Sequence, residues 1–309
     1  MVEKKENISI GIDGEEEWFI RRMIRRHFGK VAAGSILLPL KAGMTNDSFL
    51  FTVHGEKYIF RYNGYGTERL IDRENEKRVY DLIRFLGITE HVVALSVKSG
   101  YKISRYYEHS HVCDPQNQNE VDCCMAALRS FHERGLTGVK VFDPFDTLLF
   151  YERLLPEDDI ANSAYQEVRE NILSLRDFLM PFLTENLTLC HIDSVFDNFL
   201  FVEGRECPYL IDWEYAGVSD PLIDIAMFAI YANYSELETN RLLAGYFPEG
   251  YSDRIRARIY AYMAVGGLIW RNWCIYKSLF GVTFGEYADN QFRFAKDYPQ
   301  KVRALLGDS

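Results

Sequence analysis

The amino-acid sequence predicts an α+β fold, in which a strand-rich first part with one key helix precedes a larger, mostly helical second part. Short apolar runs bounded by turn residues fill the first hundred-odd residues, which is typical of β-strands. From about residue 120, apolar residues recur at helical spacing, interrupted once by a short strand-rich stretch between Leu187 and Trp213. The polar stretch Glu108–Asn119 separates the two parts. We therefore expect one lobe over residues 1–107 and another over 108–309.

The predicted elements follow this division. The first part contains strands and two helices, one near Trp18 and one over Arg69–Leu86, with a hairpin loop at His54–Lys57. Its predicted strands are Ile36–Leu40, Ser48–Val53, Tyr58–Tyr62, Ala94–Lys98 and Tyr101–Tyr106. The predicted helices of the second part are Glu120–Arg134, Phe145–Leu154, Tyr165–Leu183, Leu222–Tyr234, Leu237–Tyr246, Arg254–Phe280 and Gly285–Leu306.

The composition limits the classes of function. Of the 309 residues, 48% are hydrophobic and 26% are charged, values that are ordinary for a globular protein. The formal charge of −10 argues against a general nucleic-acid binder and favours a cationic ligand. No apolar run is long enough to insert into a membrane. The six cysteines lack metal-ligand spacing and the first residues lack a signal-like apolar stretch, so we expect a cytoplasmic protein with reduced thiols.

The most informative segment runs from Cys190 to Tyr215. Phe199–Val202 and Tyr209–Ile211 are apolar runs joined by a glycine-containing turn, which predicts a β-hairpin. Asn198 enters this hairpin where Asp212 leaves it, and antiparallel pairing would place the two side by side. Asp193 lies on the loop that leads into the same end.

Phosphoryl transfer requires such a set of groups. A carboxylate must orient and deprotonate the attacking hydroxyl, and oxygen ligands must hold Mg²⁺ on the nucleotide phosphates. His191-x-Asp193-x-x-x-x-Asn198 has the spacing of a kinase catalytic loop, and Asp212 has the position of the metal-binding aspartate. Alternatively, Asp193 and Asn198 would only form a turn and Asp212 would cap a helix.

With Ile211-Asp-Trp-Glu-Tyr215, this pattern resembles the choline/ethanolamine kinases, including the bacterial type. They belong to the superfamily of aminoglycoside phosphotransferases and protein-kinase-like enzymes. The likeness extends from about Leu40 to Phe294, and it implies a bilobal protein-kinase-like fold with ATP and Mg²⁺ as cofactors. It assigns Asp193 as catalytic base and Asn198 and Asp212 as Mg²⁺ ligands.

The resemblance also implies roles for neighbouring acids. Glu214 would be a substrate-facing acid, and Asp224 would brace the catalytic loop. The sequence departs from the family at Ser194–Asp197, where relatives usually carry Leu and a Gly before the Asn. This departure places an additional acid, Asp197, beside the site without an assigned role.

A candidate phosphate-covering loop lies between the first two predicted strands. Its backbone N–H groups and hydroxyls suit a phosphate, and its candidate residues are Gly43, Thr45, Asn46 and Ser48. The alternative is an ordinary hairpin turn. Arg61 is the one charge in the apolar strand Tyr58–Tyr62, and the resemblance implies that it contacts the nucleotide phosphates.

Arg61 needs an acidic partner on the following helix. Glu74 and Glu76 compete, and we favour Glu76 because it borders the apolar face. Tyr106 and Tyr107 end the last predicted strand of the first part and resemble the hinge that binds the adenine edge.

The acceptor side is indicated by Trp270 and Trp273, three residues apart on one predicted helix. Such a pair could simply pack in the core. The resemblance implies instead that it lines a choline pocket, which agrees with the preference of quaternary ammonium groups for aromatic faces. Further candidates for the pocket wall are Tyr215, Tyr231, Tyr234 and Tyr287.

The sequence thus predicts a kinase for choline or ethanolamine. An aminoglycoside or thiamine phosphotransferase is the alternative enzyme, and the tryptophan pair argues against an aminoglycoside acceptor. A pseudokinase binding module is the alternative outside enzymes, although Asp193, Asn198 and Asp212 are all present. ATP and GTP are not separated by the sequence, and the oligomeric state stays open.

Overall fold

The structure, a computed structural model, describes residues 14–30, 37–40, 46–64 and 66–307. The chain divides into two compact units, the first comprising residues 1–73 and 90–108 and the second residues 74–89 and 109–309. The helix that the sequence assigned to the first lobe therefore groups with the second unit from Glu74 onward. The lobe limits at residues 107 and 108 stay a prediction.

An antiparallel five-stranded sheet is the main element of the described part of the first unit. Its strands are β1 (Leu38–Pro39), β2 (Asn46–Val53), β3 (Glu56–Asn63), β4 (Val92–Leu95) and β5 (Lys102–Arg105), in the order β1-β2-β3-β5-β4. His54 and Gly55 connect β2 to β3 with positive φ angles of 51° and 84°, a tight turn whose twist matches that of the strands. Helix α1 (Gly14–Phe28) buries Ile20, Met23 and Ile24 in a common core with the sheet.

The second unit is mostly helical. Its helices are α2 (Arg73–Ile83, beginning at the unit boundary), α3 (Gln118–His132), α4 (Pro144–Glu152), α5 (Glu157–Ala161), α6 (Ser163–Leu173), α7 (Arg176–Leu179), α8 (Leu222–Tyr231), α9 (Glu236–Tyr246), α10 (Asp253–Ser278) and α11 (Tyr287–Leu306). Among the described residues, none of the helices has both the length and the apolar content to cross a bilayer. The predicted α+β class is confirmed.

Two small sheets hold the segment that the sequence singled out. Strand β7 (Thr188–Cys190) pairs with β10 (Gly217–Ser219), and β8 (Phe199–Val202) lies between β6 (Ser110–Val112) and β9 (Tyr209–Leu210). The loop from β7 to β8 therefore has its two ends fixed in different sheets.

Three elements differ from their predictions. The expected helix Tyr165–Leu183 is broken after α6, where the Ser174 hydroxyl donates to the Asn171 carbonyl (2.8 Å) and so competes with the helical backbone pattern. The strand expected at Ala94–Lys98 is shifted to Val92–Leu95. The polar stretch Glu108–Asn119, for which no strand was predicted, contains β6. This strand lies at the edge of its sheet, so it does not need the alternating apolar residues that would reveal it in the sequence.

Two glycines allow α10 to pack closely against its neighbours. A Cβ atom on Gly266 would lie 2.5 Å from Met227 Cε of α8, and one on Gly267 would lie 2.5 Å from the Gln291 carbonyl oxygen of α11. Both positions precede Trp270 by about one turn. The close packing therefore fixes the helix that carries the two tryptophans.

Candidate active site

The predicted catalytic hairpin is present. Phe199 pairs with Leu210, and the Ile211 N–H donates to the Asn198 carbonyl at 2.9 Å. Asn198 and Asp212 therefore flank the same end of the hairpin. Asp212 has φ 69° and ψ 58°, a left-handed conformation that aspartate tolerates better than most residues.

Asn198 contacts Asp193 directly. Its Nδ2 group donates to the Asp193 carbonyl at 2.8 Å and lies 3.3 Å from Asp193 Oδ2. Both contacts use the nitrogen of the amide, so the Oδ1 atom of Asn198 is not required to hold Asp193. An amide oxygen is a suitable ligand for a hard cation.

Asp224 anchors the backbone of the candidate catalytic loop, residues 191–198. Its carboxylate accepts from the N–H groups of His191 (2.8 Å) and Ile192 (2.7 Å). The Ser194 hydroxyl donates to the Asp224 carbonyl at 2.5 Å. Because Asp224 is fully buried in α8, these bonds act without competition from water.

Two histidines extend this network. His132 of α3 donates through Nε2 to the Asp224 carboxylate (3.0 Å), and its Nδ1 lies 2.9 Å from the Tyr246 hydroxyl of α9. His191 donates through Nε2 to the Ile211 carbonyl (2.8 Å), so it joins the catalytic loop to the end of the hairpin. The conformation of the loop is thus determined by several distant elements.

The Asp193 carboxyl has a strongly raised pKa. The pKa of Asp193 is raised to about 8, chiefly by burial and then by the Glu214 charge, while the hydrogen bond from Asn198 acts in the opposite direction. Glu214 is itself only 4% exposed. A carboxyl whose proton affinity is matched to neutral pH is suited to act as a general base.

An aromatic cluster, defined as Tyr215, Trp270 and Trp273, lies beside these acids. Trp273 Nε1 donates to the Tyr215 hydroxyl at 3.0 Å. The Tyr215 and Trp270 rings meet edge to face at 5.4 Å, and the two indoles meet at 6.1 Å. Three predicted acceptor residues are therefore brought together. Burial raises the pKa of Tyr215, and the nearby negative charges that add to the rise include those of Glu214 and Asp193.

Sequence reasoning missed two further members of this region. Tyr151 of α4 is buried and hydrogen-bonds to Tyr215, and its pKa is raised by burial and then by the Asp193 charge. Phe284 meets the Trp273 ring at 5.2 Å. Neither residue carried a signal in the sequence, since an aromatic residue at a helical or loop position is usually assigned to packing.

The three other predicted wall candidates lie in two different environments. Tyr231 donates to Asp197 Oδ2 at 2.8 Å and meets the Tyr287 ring at 5.6 Å. Tyr234 instead donates to the Pro115 carbonyl at 2.5 Å. Its hydroxyl is therefore directed to the loop before α3, which makes it a poor wall candidate.

The candidate nucleotide residues lie mainly in the first unit. Gly43 and Thr45 fall outside the described residues. Asn46 begins β2 and accepts a hydrogen bond from Arg73 at 3.2 Å. Ser48 is the cross-strand partner of Arg61, and directly paired residues share one face of a sheet.

A buried ion pair, which the sequence analysis missed, lies beside Arg61. Lys102 of β5 is the cross-strand partner of Arg61, and its Nζ atom lies 2.7 Å from Glu90 Oε1. Arg61, Lys102 and Glu90 are all nearly inaccessible to solvent. The sheet therefore places two cations side by side on one face.

The remaining nucleotide candidates are divided between the two units. Tyr106 follows β5 and donates its N–H to the Lys57 carbonyl at 2.9 Å, and the Tyr107 hydroxyl accepts from the His91 N–H at 3.1 Å. Glu76 is buried in α2 of the second unit. Its pairing with Arg61 stays a prediction.

A comparison with models of protein families identifies the family of this chain. Residues 36–262 match the phosphotransferase enzyme family. The chain belongs to this family. The predicted membership of the phosphotransferase superfamily and the kinase-like α+β fold are confirmed, and the chain is a small-molecule phosphotransferase.

Similar proteins support this classification of the phosphotransferase. Protein LicA of Haemophilus influenzae is 28% identical over 274 residues, which cover 83% of this chain and 79% of the relative. Ethanolamine kinase 2 of Mus musculus is 25% identical, covering 86% of this chain and 76% of the relative. The crystal structure of the choline kinase LicA from Streptococcus pneumoniae has a TM-score of 0.80 at 28% identity, covering 93% of this chain and 99% of that chain.

Proposed function

We propose that this phosphotransferase transfers the γ-phosphoryl group of ATP to the hydroxyl of choline, with ethanolamine as the nearest alternative acceptor. The observation that carries the proposal is the aromatic cluster of Tyr215, Trp270 and Trp273 beside two acids, the partly buried Asp193 and the buried Glu214. Similar proteins support it, because the choline kinase LicA of Streptococcus pneumoniae has a similar structure and a LicA structure contains AMP.

Asp193 is the proposed base. The hydroxyl oxygen of the acceptor attacks the γ-phosphorus, the bond to the leaving ADP oxygen breaks, and the hydroxyl proton passes to the Asp193 carboxylate. Asn198 holds Asp193 through its Nδ2 contacts. The bracing of His191 and Ile192 by Asp224 limits the movement of the base, and such positioning supports catalysis.

Mg²⁺ fits the donor set at the end of the hairpin. Asn198 Oδ1 and the Asp212 carboxylate are hard oxygen ligands of the type that Mg²⁺ prefers. When bound, the ion would neutralise charge on the nucleotide phosphates. We therefore propose Asn198 and Asp212 as its protein ligands.

The aromatic cluster and Glu214 would hold the acceptor. A trimethylammonium group donates no conventional hydrogen bond, and aromatic faces attract it through their quadrupoles. Buried negative charge favours a cation over a neutral alcohol. The aromatic faces suit the smaller ethanolamine less well, since they offer its primary ammonium group no strong hydrogen-bond acceptor.

The nucleotide assignments rest on the family resemblance. We propose that Arg61, with Glu76 as its partner, serves the phosphates, that Gly43, Thr45, Asn46 and Ser48 form the covering loop, and that Tyr106 and Tyr107 form the hinge. The division into a nucleotide-binding lobe (1–107) and a catalytic and acceptor lobe (108–309) belongs to the same proposal.

A screen of ATP consumption tests the proposal. The purified chain is assayed with Mg²⁺ and choline, ethanolamine, thiamine or several aminoglycosides, and the phosphorylated product is identified by mass. We expect the highest kcat/KM with choline. Faster turnover of an aminoglycoside or of thiamine would reject the choline assignment.

A further inference from the structure

Asp197 is an acid in the catalytic loop that the mechanism above does not use. It lies next to Asn198 and is exposed, whereas Glu214 is buried and Asp193 is partly buried. Its Oδ2 atom accepts a hydrogen bond from the Tyr231 hydroxyl at 2.8 Å. This hydrogen bond from the half-buried Tyr231 restricts the side-chain conformations of the exposed Asp197 carboxylate.

Tyr231 connects this acid to the aromatic side chains of the site. Its ring meets Tyr287 edge to face at 5.6 Å and 70°, and it meets Phe196 at 4.9 Å. Burial raises the pKa of Tyr287, and the nearby charges that add to the rise include Cys274 and Asp193. Tyr287 therefore lies near the proposed base Asp193. It also lies near Cys274 of α10, which directly follows Trp273 in the sequence.

The three acids differ in what they can offer a bound cation. Asp193 must remain available to accept the hydroxyl proton of the acceptor. Glu214 is only 4% exposed, so little of its surface can contact a bound cation. Asp197 is accessible, and Tyr231 holds it at the edge of a pair of tyrosine rings. A fixed carboxylate beside aromatic faces is the arrangement that favours a permanent cation over a neutral group of the same shape.

We propose that Asp197 determines the specificity of the acceptor site, with its carboxylate, positioned by Tyr231, facing the cationic end of the alcohol. The Tyr231 and Tyr287 rings would contact the substituents on the nitrogen. This inference rests on the proposed function, because it assumes that Asp193 activates the hydroxyl end of the same molecule. It assigns a role to Asp197, which the family resemblance leaves without one.

Kinetics with a neutral isostere test the inference. KM and kcat are measured for choline and for 3,3-dimethylbutan-1-ol, which has the same shape without the charge, in wild type, Asp197→Asn and Tyr231→Phe. Asp197→Asn should raise KM for choline roughly 2- to 10-fold, the scale of a partly exposed ion pair, and leave KM for the isostere unchanged. Tyr231→Phe should produce a smaller rise for choline, since the charge remains.

Further variants make the result specific. Glu170→Gln removes an exposed charge of α6 and should change neither KM. Asp197→Glu keeps the charge and should stay closer to wild type than Asp197→Asn does. Melting temperatures confirm that each variant is folded.

Several outcomes would reject the inference. Equal increases of KM for choline and the isostere would mean that Asp197 acts through shape. An increase in the Mg²⁺ concentration for half-maximal rate, with KM for choline unchanged, would place Asp197 on the metal instead. If wild type phosphorylates choline and Asp197→Asn does so equally well, only this inference fails, whereas a wild type inactive on choline and ethanolamine also rejects the proposed function.

Discussion

Asp224 holds Ile192 in a backbone conformation that isoleucine rarely adopts. The carboxylate accepts the Ile192 N–H at 2.7 Å while Ile192 has a φ of 69°. A β-branched residue in the left-handed region costs about 1–3 kcal/mol, which the charge-assisted bonds from His191 and Ile192 offset. The strain lies one residue before Asp193, so the geometry of the proposed base depends on a buried residue from another element.

Replacing Asp224 should therefore affect stability and activity together. Asp224→Asn substitutes an NH₂ group for one acceptor oxygen and leaves a buried backbone N–H without its bond, at a cost of about 1–3 kcal/mol. We expect a lower free energy of unfolding in urea and a lower kcat. Asp253→Asn, an exposed change at the start of α10, serves as the control. Wild-type stability in Asp224→Asn would contradict the anchoring role.

Asp193→Asn should remove the proposed base while it keeps the shape of the side chain. Because a positioned general base contributes about 10²–10⁴-fold, kcat should fall by at least ~10²-fold. Nucleotide affinity, measured by calorimetry, should change little. A variant with near-native kcat would exclude Asp193 from this role.

Asp212→Asn should uncouple nucleotide binding from the metal. The carboxylate supplies negative charge that an amide lacks, so the proposed Mg²⁺ affinity should fall and transfer should be abolished while the chain stays folded. Titration of ATP with and without Mg²⁺ measures this dependence. A variant whose nucleotide binding still responds to Mg²⁺ as wild type does would reject Asp212 as a ligand.

The tryptophans can be tested by single truncation. If they contact a trimethylammonium group, each contributes about 0.5–2 kcal/mol, and Trp270→Ala or Trp273→Ala should raise KM for choline roughly 2- to 30-fold. The KM for ATP should change little. If the tryptophans only pack in the core, truncation to Ala should instead lower the free energy of unfolding by ~3–5 kcal/mol and affect all acceptors equally.

Phenylalanine variants separate these two roles. Trp273→Phe keeps much of the packing, weakens the aromatic face, and removes the hydrogen bond to Tyr215. Trp270→Phe removes the contact of Nε1 with Met227 Sδ (3.0 Å). Both should lose more activity with choline than with ethanolamine at a similar melting temperature. A loss of stability with unchanged KM for choline would favour the packing role.

His27 predicts a pH dependence of stability in the first unit. Its Nε2 atom lies 2.8 Å from the Tyr101 hydroxyl, and burial, followed by the Arg26 charge, lowers the pKa of His27 from 6.5. The folded state thus binds the proton less readily than the unfolded chain. The contribution of His27 to stability is complete above pH 6.5 and is lost as the pH falls from there through the lowered pKa.

The comparison with His27→Gln isolates this contribution. The free energy of unfolding of wild type minus that of the variant should decrease as the pH is lowered from about 7.5 to about 5.5, the range around an ordinary histidine pKa. Urea titrations at each pH provide the values. A difference that does not vary with pH would contradict the prediction.

The sequence could predict features that depend on local spacing. The helices of the second unit follow from apolar periodicity, and the hairpin that brings Asn198 beside Asp212 follows from two short apolar runs around a turn. The proximity of Tyr215 to the tryptophans, in contrast, could be expected only through the family resemblance, because no local pattern joins residues so far apart.

Other contacts had no sequence signal at all. Lys102 and Glu90 form a buried ion pair, yet each reads as an ordinary surface charge until tertiary packing removes the water around it. Tyr151 reads as a helical packing residue, and its bond to Tyr215 depends on how α4 packs. Such contacts are set by the arrangement of elements, which periodicity does not specify.

The His132–Asp224–Tyr246 network also has a consequence for biosynthesis. The catalytic loop around Asp193 is translated well before α8 and α9, which supply its anchors. A nascent chain that ends before Asp224 lacks the acceptor for the His191 and Ile192 amides. One that ends before Trp270 also lacks the two indoles proposed to bind the alcohol. Phosphoryl transfer would thus begin only late in translation, and prematurely terminated chains would be inactive.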